Sequence, residues 1–545
     1  MDSLKTQEDL KNKNIILILT LFLSGLTAIW GLSGKALENH ECFVSVTARE
    51  MVQTHNWVMP TCNGQPRLAK TPLSYWAVAG LGIITGTIDE FTARFPSALF
   101  AFLSALAILY FVKHWLGFRA ATLSVLVWIT SFGYLSYSHN ARPEMALTFF
   151  VSVCLLAFYT AVVEENRKKQ IIYMIVFWIS FGLGMLAKGP APIPLVLIPL
   201  FSYIAIFKRW KIVPKLLPIA GTIIFLVIVL PWPIAIGYMV KWHLIVWKQN
   251  FIDRLFGEYA PGNYPMYFYL PYIFSFIFPW IAFVPVVLMS PFYKIWGKKQ
   301  KVMLFLWVCF ITELIFLTLS AGKRKHYLLP VIPVIAILVG IVLEDMVFIR
   351  KAFTEKFARN FLTYHAIVIP ILVIAGLIYL AFIYPKVLTE LVIFGAGVLI
   401  MTGGVLILFA RNKKVGGCGL IFAGYCLATI CFVSLTDQFD NNNYTRKFAF
   451  EISKKIPSTD NVAAYNYVSM RVVHYSGRTI PEIEDKNTVY QYYEKGYWII
   501  ATDTDLKELQ QDGRLNMVYY NDKAEVQSKR NIAGALFRKS KDAIN

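Results

Sequence analysis

Five polar segments carry the side chains that could do chemistry in this otherwise apolar chain. One of them, "AGKRKHYLLP" at 321–330, places Lys323, Arg324 and Lys325 between two apolar runs. Lysine binds a phosphate as a point charge, and arginine can donate two hydrogen bonds to it. The charge pattern puts this loop on the side of the membrane where cations are normally scarce. We therefore expect it to hold an anionic group; the alternative is a charge excess too small to affect topology.

The segment 36–76 contains the candidates for a catalytic base. "ALENHECFVSVTAREM" holds Glu38, His40 and Glu41 at the start of a run whose apolar residues have helical spacing. Such a helix would lie in the plane of the membrane interface, and a carboxylate held there could accept a proton. The alternative is a solvated loop whose acids and bases pair with each other. The cations of the same segment are Arg49, Arg67 and Lys70.

The remaining segments place further charges next to the ends of apolar runs. In "HNARPEMA", Arg142 and Glu144 lie where a new helix begins. Glu144 could belong to a site or could simply complement the helix dipole. Lys188 lies between two apolar runs and could bind an anion or extend to the interface. Arg254 lies in an aromatic-rich segment on the same side.

The composition defines the protein class. The chain has 545 residues, of which 57% are hydrophobic and 16% charged. Runs of about 20 apolar residues cross a bilayer as helices, so the sequence predicts a polytopic α-helical membrane protein. The net charge of +20 comes largely from short loops between apolar runs, as in other membrane proteins. We therefore do not expect nucleic acid as a partner.

The apolar runs predict about thirteen transmembrane helices. The loops in one alternate set are short and basic, which is typical of the cytoplasmic side. The N-terminus would then be cytoplasmic and the C-terminus outside. Glu313, within a span, would either face a cavity or be buried in its protonated form. The predicted spans are 14–32, 92–113, 119–137, 145–163, 171–187, 190–207, 216–237, 267–291, 302–320, 327–345, 361–384, 388–410 and 416–436.

The chain divides into two predicted domains. Residues 1–436 form the transmembrane domain, within which 33–91 is the first outer loop. Residues 437–545 alternate strand-like and helix-like runs, which predicts a small soluble α/β domain outside the membrane. Cys42 and Cys62 in the first outer loop could form a disulfide or remain free thiols.

Taken in order, the motifs resemble a known family. "TAREM", "PRLAKTPLSYW", "RPE", "AKG", "PW", "FPW" and "GKRKHYLLP" are similar to the bacterial branch of the protein O-mannosyltransferase superfamily, including transferases that modify lipid A with aminoarabinose. The resemblance covers roughly residues 14–345. It implies a GT-C fold, a sugar donor on a polyprenyl phosphate, and transfer outside the cytoplasm with inversion at the anomeric carbon.

The resemblance also implies roles for single residues. His40 stands at the position of the family's catalytic aspartate and Glu41 at that of the following glutamate, so Glu41 is the candidate base and Glu38 its substitute. Lys70 matches a family lysine, but the preceding acid, which contributes to a metal site in the family, is Ala69 here. No cofactor is therefore required, although a divalent metal stays an open alternative. The matching acid and cations elsewhere are Glu144, Lys188, Lys323 and Lys325.

Together, these observations predict an inverting glycosyltransferase of a bacterial inner membrane. Its donor phosphate would contact Lys70, Lys188, Lys323, Lys325 and Arg254, with support from Arg49, Arg67, Arg142 and Tyr327. The acceptor would be lipid A or another glycan or lipid of the cell envelope. Two alternatives remain open: a carrier of lipid-linked sugars without catalysis, and a subunit of a polymer assembly complex.

Overall fold

The contacts of the chain define two compact units. The computed structural model describes residues 2–258, 264–440, 444–510, 514–521 and 534–538. The first unit contains Met1–Leu32, Leu68–Ser74 and Arg94–Leu435. The second contains Ser33–Arg67, Tyr75–Ala93 and Thr436–Asn545. The contacts thus group most of the first outer loop with the C-terminal segment, although the two are far apart in sequence.

The first unit is built from long apolar helices. Within the described ranges, ten helices are long and apolar enough to cross a membrane, and an eleventh span results if a pair bent by 60° counts as one. The bent pair is Phe118–Ile129 and Phe132–Ser138. The ten are Asn12–Ile29, Glu90–Leu116, Glu144–Val163, Arg167–Lys188, Pro218–Met239, Lys298–Leu319, Lys325–Ile349, Glu355–Ile383, Pro385–Ala410 and Lys414–Thr436.

Two further predicted spans are shorter or broken. The predicted span 190–207 is the helix Pro192–Ile206. The predicted span 267–291 consists of Met266–Ile277 and Trp280–Phe292. Pro279 lies between these two pieces, where its ring and its missing N–H disfavour a continuous helix. Each predicted span thus corresponds to a helix or to a pair of helices, and the predicted fold class is confirmed.

Two helices form the centre of the first unit. The apolar stretches of Glu144–Val163 and Lys325–Ile349 are 83% and 89% buried. Those of Glu355–Ile383 and Pro385–Ala410 are only 17% and 11% buried. The central pair begins with residues from two of the polar segments. Side chains at these starts are therefore held by well-packed helices.

The second unit begins with the helix Asn39–Thr54, here called the first-loop helix. A short hairpin follows, in which Thr61–Cys62 pairs antiparallel with Gln65–Pro66. Asn63 and Gly64 form its turn with φ angles of 54° and 74°. Asparagine and glycine tolerate this left-handed backbone, which is why they form two-residue hairpin turns. The helix Leu73–Thr85 packs its Tyr75, Val78 and Ala79 on the first-loop helix.

The C-terminal segment forms a five-stranded mixed sheet with helices, as predicted for a small α/β domain. In spatial order its strands are Glu482–Ile483, Val462–Tyr465, Trp498–Thr502, Gly534–Phe537 and Met517–Asn521. The first three are parallel, and the others pair antiparallel. The helices are Tyr444–Lys455, Met470–Ser476, Lys486–Glu494 and Asp503–Gln510. Cys42 and Cys62 are both buried and are not joined by a disulfide.

Candidate functional site

The first unit buries an ion pair between two of the predicted site residues. Lys188 Nζ lies 3.1 Å from Glu144 Oε1, and the two side chains are only 7% and 5% exposed. Glu144 starts one helix and Lys188 ends the next, Arg167–Lys188. Consecutive antiparallel helices bring the start of the first and the end of the second to the same side. The topology therefore places the acid and the lysine together.

His326 and Tyr327 complete the surroundings of this pair. His326 Nε2 lies 3.5 Å from Glu144 Oε1. The Lys188 ammonium lies 5.0 Å from the centre of the Tyr327 ring, a favourable cation–π distance. Oε2 of Glu144 is buried and accepts no hydrogen bond. One carboxylate oxygen thus binds the lysine, and the other has no partner.

Lys70 belongs to the segment Leu68–Ser74, which is tied to the same helices. Trp247 donates from Nε1 to the carbonyl of Leu68 at 3.1 Å. The amide of Gly189 donates to Oγ1 of Thr71 at 3.0 Å. Lys70 lies between these two contacts and interacts electrostatically with Glu144. Thr71, which binds the Gly189 amide, is not among the predicted site residues, and its place next to Lys70 is its only signal in the sequence.

Gly189 allows the chain to turn directly after Lys188. Its φ and ψ angles are 61° and −146°, which side chains with a Cβ rarely adopt. A Cβ atom added there would lie 2.6 Å from the Phe251 ring. Glycine is therefore required both by the backbone conformation and by the close ring. This turn fixes the direction in which the chain continues after Lys188, the last residue of its helix.

A cavity of about 340 Å³ lies beside the ion pair. Its cationic lining residues are Lys70 and Lys188, and Tyr327 lies at the same wall. Most of the remaining wall is apolar. The apolar side chains include Leu147, Leu195, Phe251, Leu255, Phe256, Phe316 and Leu317. Two lysines in an otherwise apolar wall suit a ligand that has an anionic head and a hydrocarbon chain.

The cations of "AGKRKHYLLP" differ in their surroundings. Lys323 is buried, yet its ammonium has no acid partner in the described part of the chain. Its neighbour Gly322 lines the cavity. Lys325 and Arg324 are exposed, and the Arg324 amide donates to the Tyr269 hydroxyl at 3.3 Å. Lys323 is therefore the cation of this loop that could most directly neutralise a buried anion.

Two predicted site residues, Arg142 and Arg254, have fewer described contacts in this site. Arg142 is half-buried and interacts electrostatically with Glu144. The backbone of Arg254 begins the short helix Arg254–Phe256, but its side chain lies outside the described residues. A contact between Arg254 and a phosphate stays a prediction.

The acids of the first outer loop belong to the second unit and begin the first-loop helix. Glu41 is 1% exposed, and its Oε2 accepts a hydrogen bond from the amide of Glu38 at 2.8 Å. The Glu38 side chain in turn accepts a hydrogen bond from the backbone amide of Glu41, the third residue of the helix. The two acids therefore form a capping box. Such a box satisfies amides that the helix start would leave unpaired. Glu41 therefore has a structural role, while the imidazole of His40 is exposed.

Arg49 and Arg67 also lie in the second unit. Arg49 donates to the carbonyls of His474 and Val473 at 2.9 and 3.1 Å. Its contacts thus hold helices together. The Arg67 guanidinium lies 4.0 Å from the centre of the Phe43 ring and has no acid partner among the described residues. Of these two arginines, Arg67 is the one that could contact an anionic ligand.

The residues present do not fit a metal ion. Among the residues that the structure describes, no group of three or more His, Cys, Asp and Glu side chains could hold one. Ala69, directly before Lys70, has no ligand atom in its side chain. The cationic surroundings of Glu144 would also repel a divalent cation. No step of the chemistry is therefore assigned to a metal.

Comparison with solved structures identifies the fold. The chain superimposes on the crystal structure of ArnT from Cupriavidus metallidurans bound to undecaprenyl phosphate with a TM-score of 0.82. The match covers 95% of this chain and 97% of that one at 16% sequence identity. The chain has the GT-C glycosyltransferase fold. The resemblance to the protein mannosyltransferase superfamily is confirmed as well, because residues 69–234 match the family described as dolichyl-phosphate-mannose-protein mannosyltransferase.

Sequence relatives agree with this result. The undecaprenyl phosphate-alpha-4-amino-4-deoxy-L-arabinose arabinosyl transferase 2 of Pseudomonas fluorescens is 26% identical over 333 residues, which are 60% of this chain and 59% of that protein. The corresponding transferase of Pseudomonas savastanoi pv. phaseolicola is 28% identical over 334 residues, 59% of this chain and 60% of that protein. The matched segment spans about three fifths of the length of each of these curated relatives.

His326 is the residue of the site that sequence reasoning missed most clearly. It lies in the quoted segment "AGKRKHYLLP", but the cations beside it seemed the more direct phosphate ligands. Its contact with Glu144 joins residues that are far apart in the GT-C chain. The only sequence signal was a histidine at the start of an apolar run.

Proposed function

We propose that the protein is an inverting glycosyltransferase that takes its sugar from a polyprenyl-phosphate donor. The observation that carries the proposal is the cavity whose lining combines the cations Lys70 and Lys188 with apolar side chains over most of its wall. Such a cavity suits a phosphate attached to an isoprenoid chain. The names of the matched relatives, which are undecaprenyl-phosphate-sugar transferases, support the same donor class.

The proposed role of the cations is to stabilise the leaving group. Lys70, Lys188 and Lys323 neutralise the phosphate, and their positive charge matters most as the bond to the sugar breaks. Glu144 holds Lys188 in place through the 3.1 Å ion pair. The exposed Lys325 and the half-buried Arg142 add positive potential, and we propose that Arg254 does so too. The Tyr327 ring packs against the Lys188 ammonium.

The proposed reaction is a single displacement. An oxygen of the acceptor attacks the anomeric carbon of the sugar from the face opposite the phosphate. The bond from that carbon to the phosphate oxygen breaks, and polyprenyl phosphate leaves with the bonding electrons. The acceptor gives up its proton to a base. One carbon–oxygen bond forms as another breaks, so the configuration at the anomeric carbon inverts.

We assign the proton acceptor to the first outer loop. Glu41 is buried in the capping box and Glu38 takes part in it while pairing with Lys35 at 3.1 Å. His40 is exposed, and the family resemblance implies a catalytic aspartate at its position, so we propose His40 as the base. Glu41 and Glu38 then hold the helix start that presents it. Arg67 would contact an anionic group of the acceptor.

The protein is a multi-pass membrane protein. The basic loops support an orientation with the N-terminus in the cytoplasm and the C-terminal domain in the periplasm of a bacterial inner membrane. In that orientation the proposed acceptor is lipid A or another glycan of the cell envelope.

Turnover in nanodiscs tests this proposal. Purified protein would receive polyprenyl-phosphate sugars and envelope acceptors, and NMR would determine the anomeric configuration of the product. We expect an inverted product and release of polyprenyl phosphate. His40→Ala should abolish transfer, whereas Glu41→Gln should mainly lower thermal stability. Tight binding of the donor without release for every acceptor would favour the carrier alternative and overturn the enzyme proposal.

A further inference from the structure

The hydroxyl group of Tyr475 joins three segments of the second unit. It accepts a hydrogen bond from the amide of Leu37 at 2.7 Å and donates one to Glu90 Oε1 at 2.9 Å. Arg446 pairs with the same carboxylate oxygen at 3.3 Å and lies 5.3 Å from the Tyr475 ring centre. The first outer loop, the start of the helix Glu90–Leu116 and the C-terminal segment therefore meet at one phenol.

The first of these contacts fixes the entry to the first-loop helix. Leu37 directly precedes Glu38, the residue that caps this helix. Holding the Leu37 amide sets the direction in which the chain enters the first turn, which carries His40 and Glu41. Burial raises the pKa of Tyr475, so the hydroxyl keeps its proton at physiological pH and donates to Glu90 while it accepts from Leu37.

The C-terminal segment also holds the middle of the same helix. Ser45 Oγ lies 3.0 Å from Nδ1 of His474, and Arg49 reaches the carbonyls at the end of the helix Met470–Ser476. The hairpin that follows is held by Asn63, which exchanges two hydrogen bonds of 2.7 Å with the backbone of Ile480. The first-loop helix is thus fixed to the C-terminal segment along its length.

From these contacts we infer that the Tyr475 hydroxyl is a positioning group for the reaction: it fixes the helix start that presents the proton acceptor. The inference rests on the proposed function, because it assigns the C-terminal domain the task of orienting the first-loop residues. The hydroxyl makes two hydrogen bonds, one of them to the Glu90 carboxylate, and the net contribution of such bonds to stability is modest. A misplacement of about 1 Å in a catalytic group can reduce the rate about a hundredfold. The effect on turnover should therefore exceed the effect on folding.

Tyr475→Phe tests the inference, and Tyr465→Phe is its matched control. Tyr465 is a buried tyrosine of the C-terminal sheet whose hydroxyl donates to Glu508 at 3.1 Å. Each variant loses one hydroxyl and its hydrogen bond to a carboxylate, whereas Tyr475→Phe also loses the bond from the Leu37 amide, which is the contact under test. We expect Tyr475→Phe to lower kcat about tenfold or more with an unchanged KM for the donor, and Tyr465→Phe to keep the kcat of the wild type. Equal kcat values in the two variants would overturn the inference.

Hydrogen exchange tests the same inference without turnover. In the full-length protein, Tyr475→Phe should speed exchange at Leu37 and at the Glu41 and Cys42 amides, which bond to the carbonyl of Glu38. Tyr465→Phe should leave these amides as in the wild type. Unchanged protection in Tyr475→Phe would contradict the inference even if no acceptor were found. A wild type that shows no transfer would instead count against the proposed function alone.

Discussion

Nζ of Lys188 and Oε1 of Glu144 form a buried 3.1 Å ion pair at the meeting point of two consecutive helices. Removing one partner of a buried pair leaves an uncompensated charge and typically costs about 3–5 kcal/mol. Lys188→Ala should therefore lower both thermal stability and donor affinity. The control is Lys248→Ala: the Lys248 side chain is 60% exposed in its pair with Asp253, so water screens its charge and its loss should lower stability less. Equal melting temperatures of the two variants would contradict this account.

The backbone turn at Gly189 provides a second prediction. Gly189→Ala would combine an unfavourable backbone conformation, which costs about 1–3 kcal/mol, with a collision against the Phe251 ring. Gly297 has similar angles, 56° and −122°, with no heavy atom within 4 Å of an added Cβ. Gly297→Ala should therefore lose stability through the backbone alone. Denaturation would show a larger loss for Gly189→Ala, and Phe251→Ala in the same chain should recover the difference.

Replacing Glu313 leads to a prediction that concerns stability and not activity. Its side chain is fully buried, and neither carboxylate oxygen has a hydrogen-bond partner among the residues that the structure describes. Burying a polar group without a partner costs about 1–3 kcal/mol, so Glu313→Leu should raise the melting temperature. Glu344 is also buried but pairs with Lys299 at 2.5 Å, and Glu344→Leu should lower it. A loss of stability in Glu313→Leu would show that the carboxyl group has a partner that stabilises it.

The burial of His474 leads to a prediction of how stability depends on pH. Burial lowers its pKa to about 3, and the nearby Arg49 and Arg446 act in the same direction, while Asp89 and Glu41 act against it. The unfolded chain takes up a proton near pH 6.5, whereas the folded chain does not. Stability is therefore complete above pH 6.5 and falls as the pH decreases toward 3, by about 2 kcal/mol between pH 6.5 and 5.

Chemical denaturation at pH 7 and pH 5 measures this effect. His474→Asn should reduce the loss of stability between the two values. His55 is the control, because it is exposed at the end of the first-loop helix with a left-handed φ of 55°, which asparagine tolerates. His55→Asn should keep the pH dependence of the wild type. An unchanged pH dependence in His474→Asn would show that other groups cause it.

The sequence predicted the membrane fold because apolar run length determines which segments can span a bilayer. The break at Pro279 lies within one predicted span, since the flanking runs are as apolar as those of continuous helices. The pairing of Glu144 with Lys188 follows from helix order alone. The contact of His326 with Glu144 and that of Tyr475 with Leu37 depend on long-range packing, for which local patterns carry no signal. The capping role of Glu41 was visible only once the helix start was known.

Binding of undecaprenyl phosphate to the purified protein in nanodiscs tests the central claim most directly. Lys188→Ala and Lys323→Ala would be compared with Lys241→Ala, which removes an exposed lysine of the same unit. The account predicts saturable binding by the wild type and by Lys241→Ala. It also predicts about tenfold or weaker affinity in each of the other variants, a difference of about 1.4 kcal/mol. Equal affinities in all four proteins would contradict the claim that these buried cations hold the donor phosphate.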